Sequence, residues 1–173
     1  MIIGLSIATF TTIHVVITLI AIAAGFVVMF AMLGSHRVPG WTAIFLLMTV
    51  LTSVTGFMFP ISGFTPALAV GAISLVLLAV AIFALYARHL AGASRWLYVV
   101  TALASLYLNV FVLIVQSFEK LKILNPQAPQ IGPPFAGATN TQFAIAQGLV
   151  LLFFVAVGIA ALIKFRPGLR LSF

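Results

Sequence analysis

A chain of 173 residues in which 64% are hydrophobic and 5% charged cannot clothe a water-facing surface, because soluble domains carry roughly a quarter charged residues. This composition excludes a free-standing soluble domain and makes the bilayer the solvent, with one compact helical domain expected at this length. The formal charge of +7 sets eight Lys and Arg against one acid, Glu119; the basic residues lie at the ends of apolar runs, where they meet anionic lipid headgroups rather than nucleic acid.

Crossing the hydrocarbon layer takes about 20 apolar residues, and five runs qualify: 8–33, 41–59, 67–87, 96–116 and 141–163, none with a Lys, Arg, Asp or Glu inside. The first run is too long for a signal core and Met1 to Thr12 carry no basic leader, so it is expected to remain in the mature protein. All five must be helical, since a backbone in lipid has to satisfy its own hydrogen bonds and the runs lack the alternation of a barrel strand. The first connection holds Gly34, Ser35, His36, Arg37 and Pro39, and the second brackets Gly63 between Pro60 and Pro66. The third runs from Arg88 to Arg95. The fourth, 117–140, carries Pro126, Pro129, Pro133 and Pro134 and reads as an irregular lid whose first part, 118–124, is expected to lie in the interface as a short helix.

Alternating the loops between sides gives one side Arg37, Arg88, Arg95, Lys164, Arg166 and Arg170, and the other Lys120 and Lys122 beside Glu119. By the positive-inside rule the arginine side is cytoplasmic, which places the amino terminus and the proline-rich loop outside and the carboxyl terminus inside. Trp41, Tyr86, Trp96 and Tyr98 then fall at the inner interface, where amphipathic rings sit. An even number of helices would scatter these charges over both faces. Small residues four apart, Ala21 with Gly25 and Ala156 with Ala160, would let helix backbones approach closely.

The inventory of reactive side chains is short. With no Asp, one Glu and no Cys, the chain cannot build a carboxylate pair, an Asp-oriented triad or a thiolate metal site, and no protein ligand set for a metal is expected. A serine and histidine dyad would have to draw on Ser53, Ser105 and His14. His14 and His36 share one helix about 33 Å apart and cannot ligate the same ion. His36 and His89 both fall at the cytoplasmic ends of helices, where they read first as interfacial residues beside Arg37 and Arg88, and alternatively as a bis-histidine site for haem b in membrane electron transfer. No other cofactor is expected.

A second group shares a depth. His14, Thr52, Ser53, Asn109 and Gln147 all fall about 9 to 12 Å below the outer boundary, with Gln116 and Gln142 above them. Unpaired polar groups facing lipid are costly, so these should turn inward beneath the proline-rich loop. They form either interhelical glue or a small pocket for a polar headgroup, a quinone or a lipid-like ligand.

The stretches GWTAIFLLMTVLTSVTGFMFP (Gly40 to Pro60), YARHLAGASRWLYVVTALASLYLNVFVLIVQSF (Tyr86 to Phe118) and PPFAGATNTQFAIAQG (Pro133 to Gly148) resemble a group of small bacterial inner-membrane proteins and, more faintly, the domain-of-unknown-function family 2306. The resemblance covers most of the chain and implies a bacterial source and a multi-helix membrane fold; it supplies no activity. Members carry histidines where this chain has Ser62 and Leu68, so a metal or haem site built on those positions with His14 would have lost its partners here. The resulting expectation is an all-α bundle of five transmembrane helices in the bacterial inner membrane, non-enzymatic. It would be an accessory subunit of a membrane assembly or a binder of a small hydrophobic ligand or lipid, with haem-based electron transfer and a minimal transporter or channel as rivals.

Overall fold

The computed structural model describes residues 2–60, 65–121, 123–124 and 141–166. Five helices are long and apolar enough to cross a membrane: α1 (Ile7–Leu33), α2 (Pro39–Phe57), α3 (Pro66–Ile82, whose span continues to Ala87), α4 (Ser94–Lys120) and α5 (Thr141–Lys164). No strand joins them among the described residues.

Their ends follow local chemistry. The Ser6 hydroxyl accepts from the Thr9 N–H at 3.1 Å to open α1, and Thr65 does the same for Leu68 at 3.4 Å ahead of α3, each satisfying an N–H that has no helical partner. Pro39 and Pro66 occupy the first turns of α2 and α3, where a missing N–H costs nothing. Because Pro39 starts α2, that helix runs two residues earlier at both ends than the apolar run 41–59. After α1 the left-handed conformation falls on Ser35 (φ 57°) rather than on Gly34. Gly34 is needed for a different reason: a Cβ there would stand 2.6 Å from the His36 ring.

Two features depart from the sequence expectation. The last turn of the third span, Phe83–Ala87, is a π-helix, with the Arg88 N–H reaching the Phe83 carbonyl at 3.0 Å. It feeds a tight reversal in which His89, Leu90 and Gly92 all have positive φ. Residues 118–124 do not begin a separate interfacial helix. Phe118 to Lys120 extend α4, because no proline or glycine interrupts the chain there, Phe118 is buried against Val115 and Phe143, and Lys120 sits in the last turn, where a cation favours the helix dipole. A turn closed by the Leu124 N–H and the Leu121 carbonyl follows. The proposed lid, including Pro133 and Pro134, lies outside the described residues.

The helices run up and down. α1, α2, α3 and α4 pack in a ring, each against the next, with α4 also returning to α1, and α5 lies outside the ring against α4 and α1. One end gathers the basic connections. A guanidinium nitrogen of Arg95 donates to the carbonyl oxygens of Leu162 (3.2 Å) and Phe165 at the end of α5, and the Arg166 N–H donates to the Ser35 hydroxyl at 2.9 Å. Arg95 and the tail of α5 therefore share an end, as two consecutive antiparallel helices require. The opposite end collects the start of α1, the end of α2, the start of α3 and Lys120.

Packing is tightest in the half nearer the arginines. Ala21, Ala24 and Gly25 of α1 are buried, and a Cβ on Gly25 would meet Leu106 of α4 at 2.5 Å and the Phe45 ring of α2 at 3.0 Å. Three helices converge on that one missing side chain, which is how van der Waals packing holds a bundle when lipid offers no hydrophobic drive. The second small-residue pair is not used in this way: Ala156 is exposed on α5, and Ala161, one residue beyond Ala160, is the position that is buried.

Candidate functional site

In the half nearer Lys120 the ring opens around a cavity of about 530 Å³, within the range of small-molecule sites. All four ring helices line it. α1 contributes Thr11, His14, Thr18 and the apolar Val15 and Leu19; α2 contributes Thr52, Ser53, Gly56 and Phe57. α3 adds Leu68, Val70, Gly71 and Ser74, and α4 adds Leu108, Asn109, Val112, Gln116, Ser117 and Lys120.

Each helix presents one stripe, and the spacing explains which residues meet. Thr11, His14 and Thr18 follow one another at three and four residues, as do Asn109, Val112, Gln116 and Lys120, the spacing that stacks side chains on one helical face. Of the residues predicted from depth, His14, Thr52, Ser53, Asn109 and Gln116 do line one cavity. Gln147 is not brought to it. Its side-chain amide donates to the Phe111 carbonyl at 3.0 Å on the opposite face of α4, its amide oxygen is buried without a partner, and Gln142 is exposed. Depth fixed how far along the helix these residues sit but not which way they face.

The polar groups are held largely by backbone and by one another. His14 Nδ1 lies 2.7 Å from Thr55 Oγ1. That hydroxyl also lies 2.7 Å from the Leu51 carbonyl and 3.2 Å from the Thr52 carbonyl; with its proton directed there, the imidazole is the donor at Nδ1. Thr18 donates to the His14 carbonyl at 2.8 Å and approaches Thr52 at 3.3 Å. The Asn109 amide donates to Thr49 Oγ1 at 3.3 Å. A nucleophilic hydroxyl must give its proton to the imidazole, and Thr55 gives it to a carbonyl instead. Ser105 likewise donates to the Thr101 carbonyl at 2.8 Å and is fully buried. The Ser74 hydroxyl, at the cavity wall, is buried with no hydrogen-bond partner among the described residues.

Thr11, Thr18, Ser74, Ser117 and Lys120 were not singled out from the sequence, although the face shared with His14 or Asn109 would have found all but Ser74. Among the described residues that line the cavity, Lys120 is the one charged side chain and none is a carboxylate. Leu68 lines the same cavity as His14; Ser62 lies outside the described residues.

At the arginine end, His36 and His89 are both exposed. The cavity that His36 lines, with Arg37, Thr42, Tyr86 and Tyr98, has about 60 Å³, the liquid volume of about two waters and far below that of a macrocycle. Among the described residues no three of His, Cys, Asp and Glu converge as metal ligands. Comparison of the chain with protein-family models, with curated proteins and with solved structures found no match.

Proposed function

We propose that this chain is a multi-pass protein of the bacterial inner membrane, non-enzymatic, that holds a small hydrophobic or lipid-like ligand in the cavity among α1, α2, α3 and α4. The arginine end, with Arg37, Arg88 and Arg95, faces the cytoplasm in this reading by the positive-inside rule, and the cavity belongs to the outer half. The observation that carries it is the cavity itself: about 530 Å³ between helices that close tightly at Gly25 a few turns away, walled mainly by Val15, Leu19, Val70, Leu108 and Val112 and bearing a few convergent polar groups. That combination is the ordinary make-up of a small-molecule site. The chemistry of the lining favours binding over turnover, since Thr11, Thr18 and Ser117 give their protons to backbone carbonyls and no acid stands among the described residues of the lining.

Native mass spectrometry of the full chain, purified in mild detergent from its own membranes, tests the reading. The wild type should retain a discrete bound mass of lipid size, and Val112→Trp, which fills the cavity from α4, should lose it at least tenfold. Val70→Trp fills the same space from α3 and guards against a folding defect of the first variant. A bare wild-type protein, or a folded variant that keeps the ligand, overturns the proposal.

A further inference from the structure

The cavity is closed on two seams and open on another. Along α1 and α2 the outer half is fastened by the His14 and Thr55 contact at 2.7 Å, by Thr18 and Thr52 at 3.3 Å, and by the Phe10 and Phe59 rings with centroids 5.1 Å apart. Between α2 and α3 the helices close at Gly71, where a Cβ would stand 3.2 Å from the Phe57 ring. α1 and α4 meet at Gly25 and Leu106, about 9 Å further along α1 than Leu19. Toward Lys120 from that crossing, Val15 and Leu19 line the cavity and are nevertheless 43% and 47% exposed. A side chain that both walls a cavity and reaches the outer surface marks an opening. Leu108, Val112 and Leu113 stand on the α4 side of it.

The lips of this slot are apolar on both helices, which disfavours a water-borne solute and suits a hydrocarbon chain. At its Lys120 end the chemistry changes: Thr11, Gln116, Ser117 and Lys120 cluster there, and among the described residues of the lining Lys120 is the one cation and no carboxylate opposes it. The space of about 530 Å³ is that of a small-molecule site, enough to take an extended hydrocarbon chain.

We infer that the slot between α1 and α4 is a lateral portal through which a single-chain anionic amphiphile, a long-chain fatty acid, slides from the leaflet, its tail between Val15, Leu19, Leu108 and Val112 and its carboxylate at Lys120. This deepens the ligand-binding reading and rests on it. The head is held by one charge pair, and the route avoids water.

The test uses full-length protein in phosphatidylcholine vesicles with a fatty acid carrying a mid-chain photoactivatable diazirine, a fatty alcohol of equal length, and a two-chain phosphatidic acid labelled in the same way. The fatty acid should label Val15 to Leu19 and Leu108 to Val112 most strongly. Lys120→Gln should reduce its labelling about fivefold, the usual worth of one basic residue at a membrane surface, to the level of the alcohol. Leu19→Trp, at the lip, should slow labelling several-fold without lowering its final extent. Should Val112→Trp abolish labelling while Leu19→Trp leaves the rate untouched, the portal is wrong and the cavity reading stands; no labelling of the wild-type cavity by any probe removes both. Equal labelling by acid and alcohol overturns the head assignment, preferential labelling by phosphatidic acid overturns the single chain, and cross-links to another stretch of this chain overturn the ligand.

Discussion

The two halves of the bundle are made of equally apolar helices and are packed quite differently. Near the arginines α1 reads Ala21, Ile22, Ala23, Ala24, Gly25, and the helices close until a single Cβ has no room. Near Lys120 the same helix offers Thr11, His14, Val15 and Thr18 to its neighbours, and branched or polar side chains hold α1 away from α4. Hydrophobicity put all five helices in one solvent. The size of the residues on one stripe of α1 decided where they make a core and where they leave a cavity.

That comparison is most easily broken at the crossing. Gly25→Leu should prevent recovery of folded protein, since four further carbons would have to enter space already held by Leu106 and Phe45. Gly25→Ala asks the flexible end of Leu106 and the Phe45 ring to move and should cost about 1 to 3 kcal/mol, the usual penalty of overpacking. Unfolding in mixed detergent micelles reads both. A Gly25→Ala protein as stable as the wild type would mean that the tight half is not held by this contact.

A smaller effect belongs to the seam between α1 and α2. Thr55→Val keeps the shape of the side chain and removes the oxygen beside His14 Nδ1. The expected cost is about 1 kcal/mol, because buried polar pairs between membrane helices are worth little more than that. The His14 ring resonances should shift as its Nδ1 partner disappears. A loss of several kcal/mol would make this pair a keystone of the fold rather than one tie among several.

Much of this architecture was legible in the sequence, for a simple reason. Lipid demands long apolar helices and punctuated turns, so the five spans, the shared end of Arg95 and the last turn of α5, and the depth of His14 and Asn109 all follow from counting. What counting does not give is azimuth. Gln147 has the same depth as Asn109 yet bonds to the Phe111 carbonyl on the far face of α4, and Ala156 has the spacing of a packing residue yet is exposed. The π-turn at Phe83–Ala87 has no marker in that apolar run, since its residues would serve equally in an α-helix. The sequence places Lys120 in the connection 117–140, within a stretch expected to lie in the interface, and its place at the cavity mouth follows only from α4 continuing straight through Phe118.

The finest test compares two glycines that a sequence reading treats alike. Gly25 and Gly56 both sit inside transmembrane helices, on α1 and α2. A Cβ on Gly56 would find only the His14 ring, at 3.8 Å, an ordinary contact, and it would point into the cavity. Gly56→Ala should therefore leave stability unchanged or raise it by up to ~1 kcal/mol, as expected when glycine gives way to alanine inside a helix. Because the new methyl takes little of about 530 Å³, ligand retention should fall less than twofold. If Gly56→Ala instead destabilised the protein as much as Gly25→Ala, the half near Lys120 would be as closely packed as the half near the arginines, and the space assigned to a ligand would not exist.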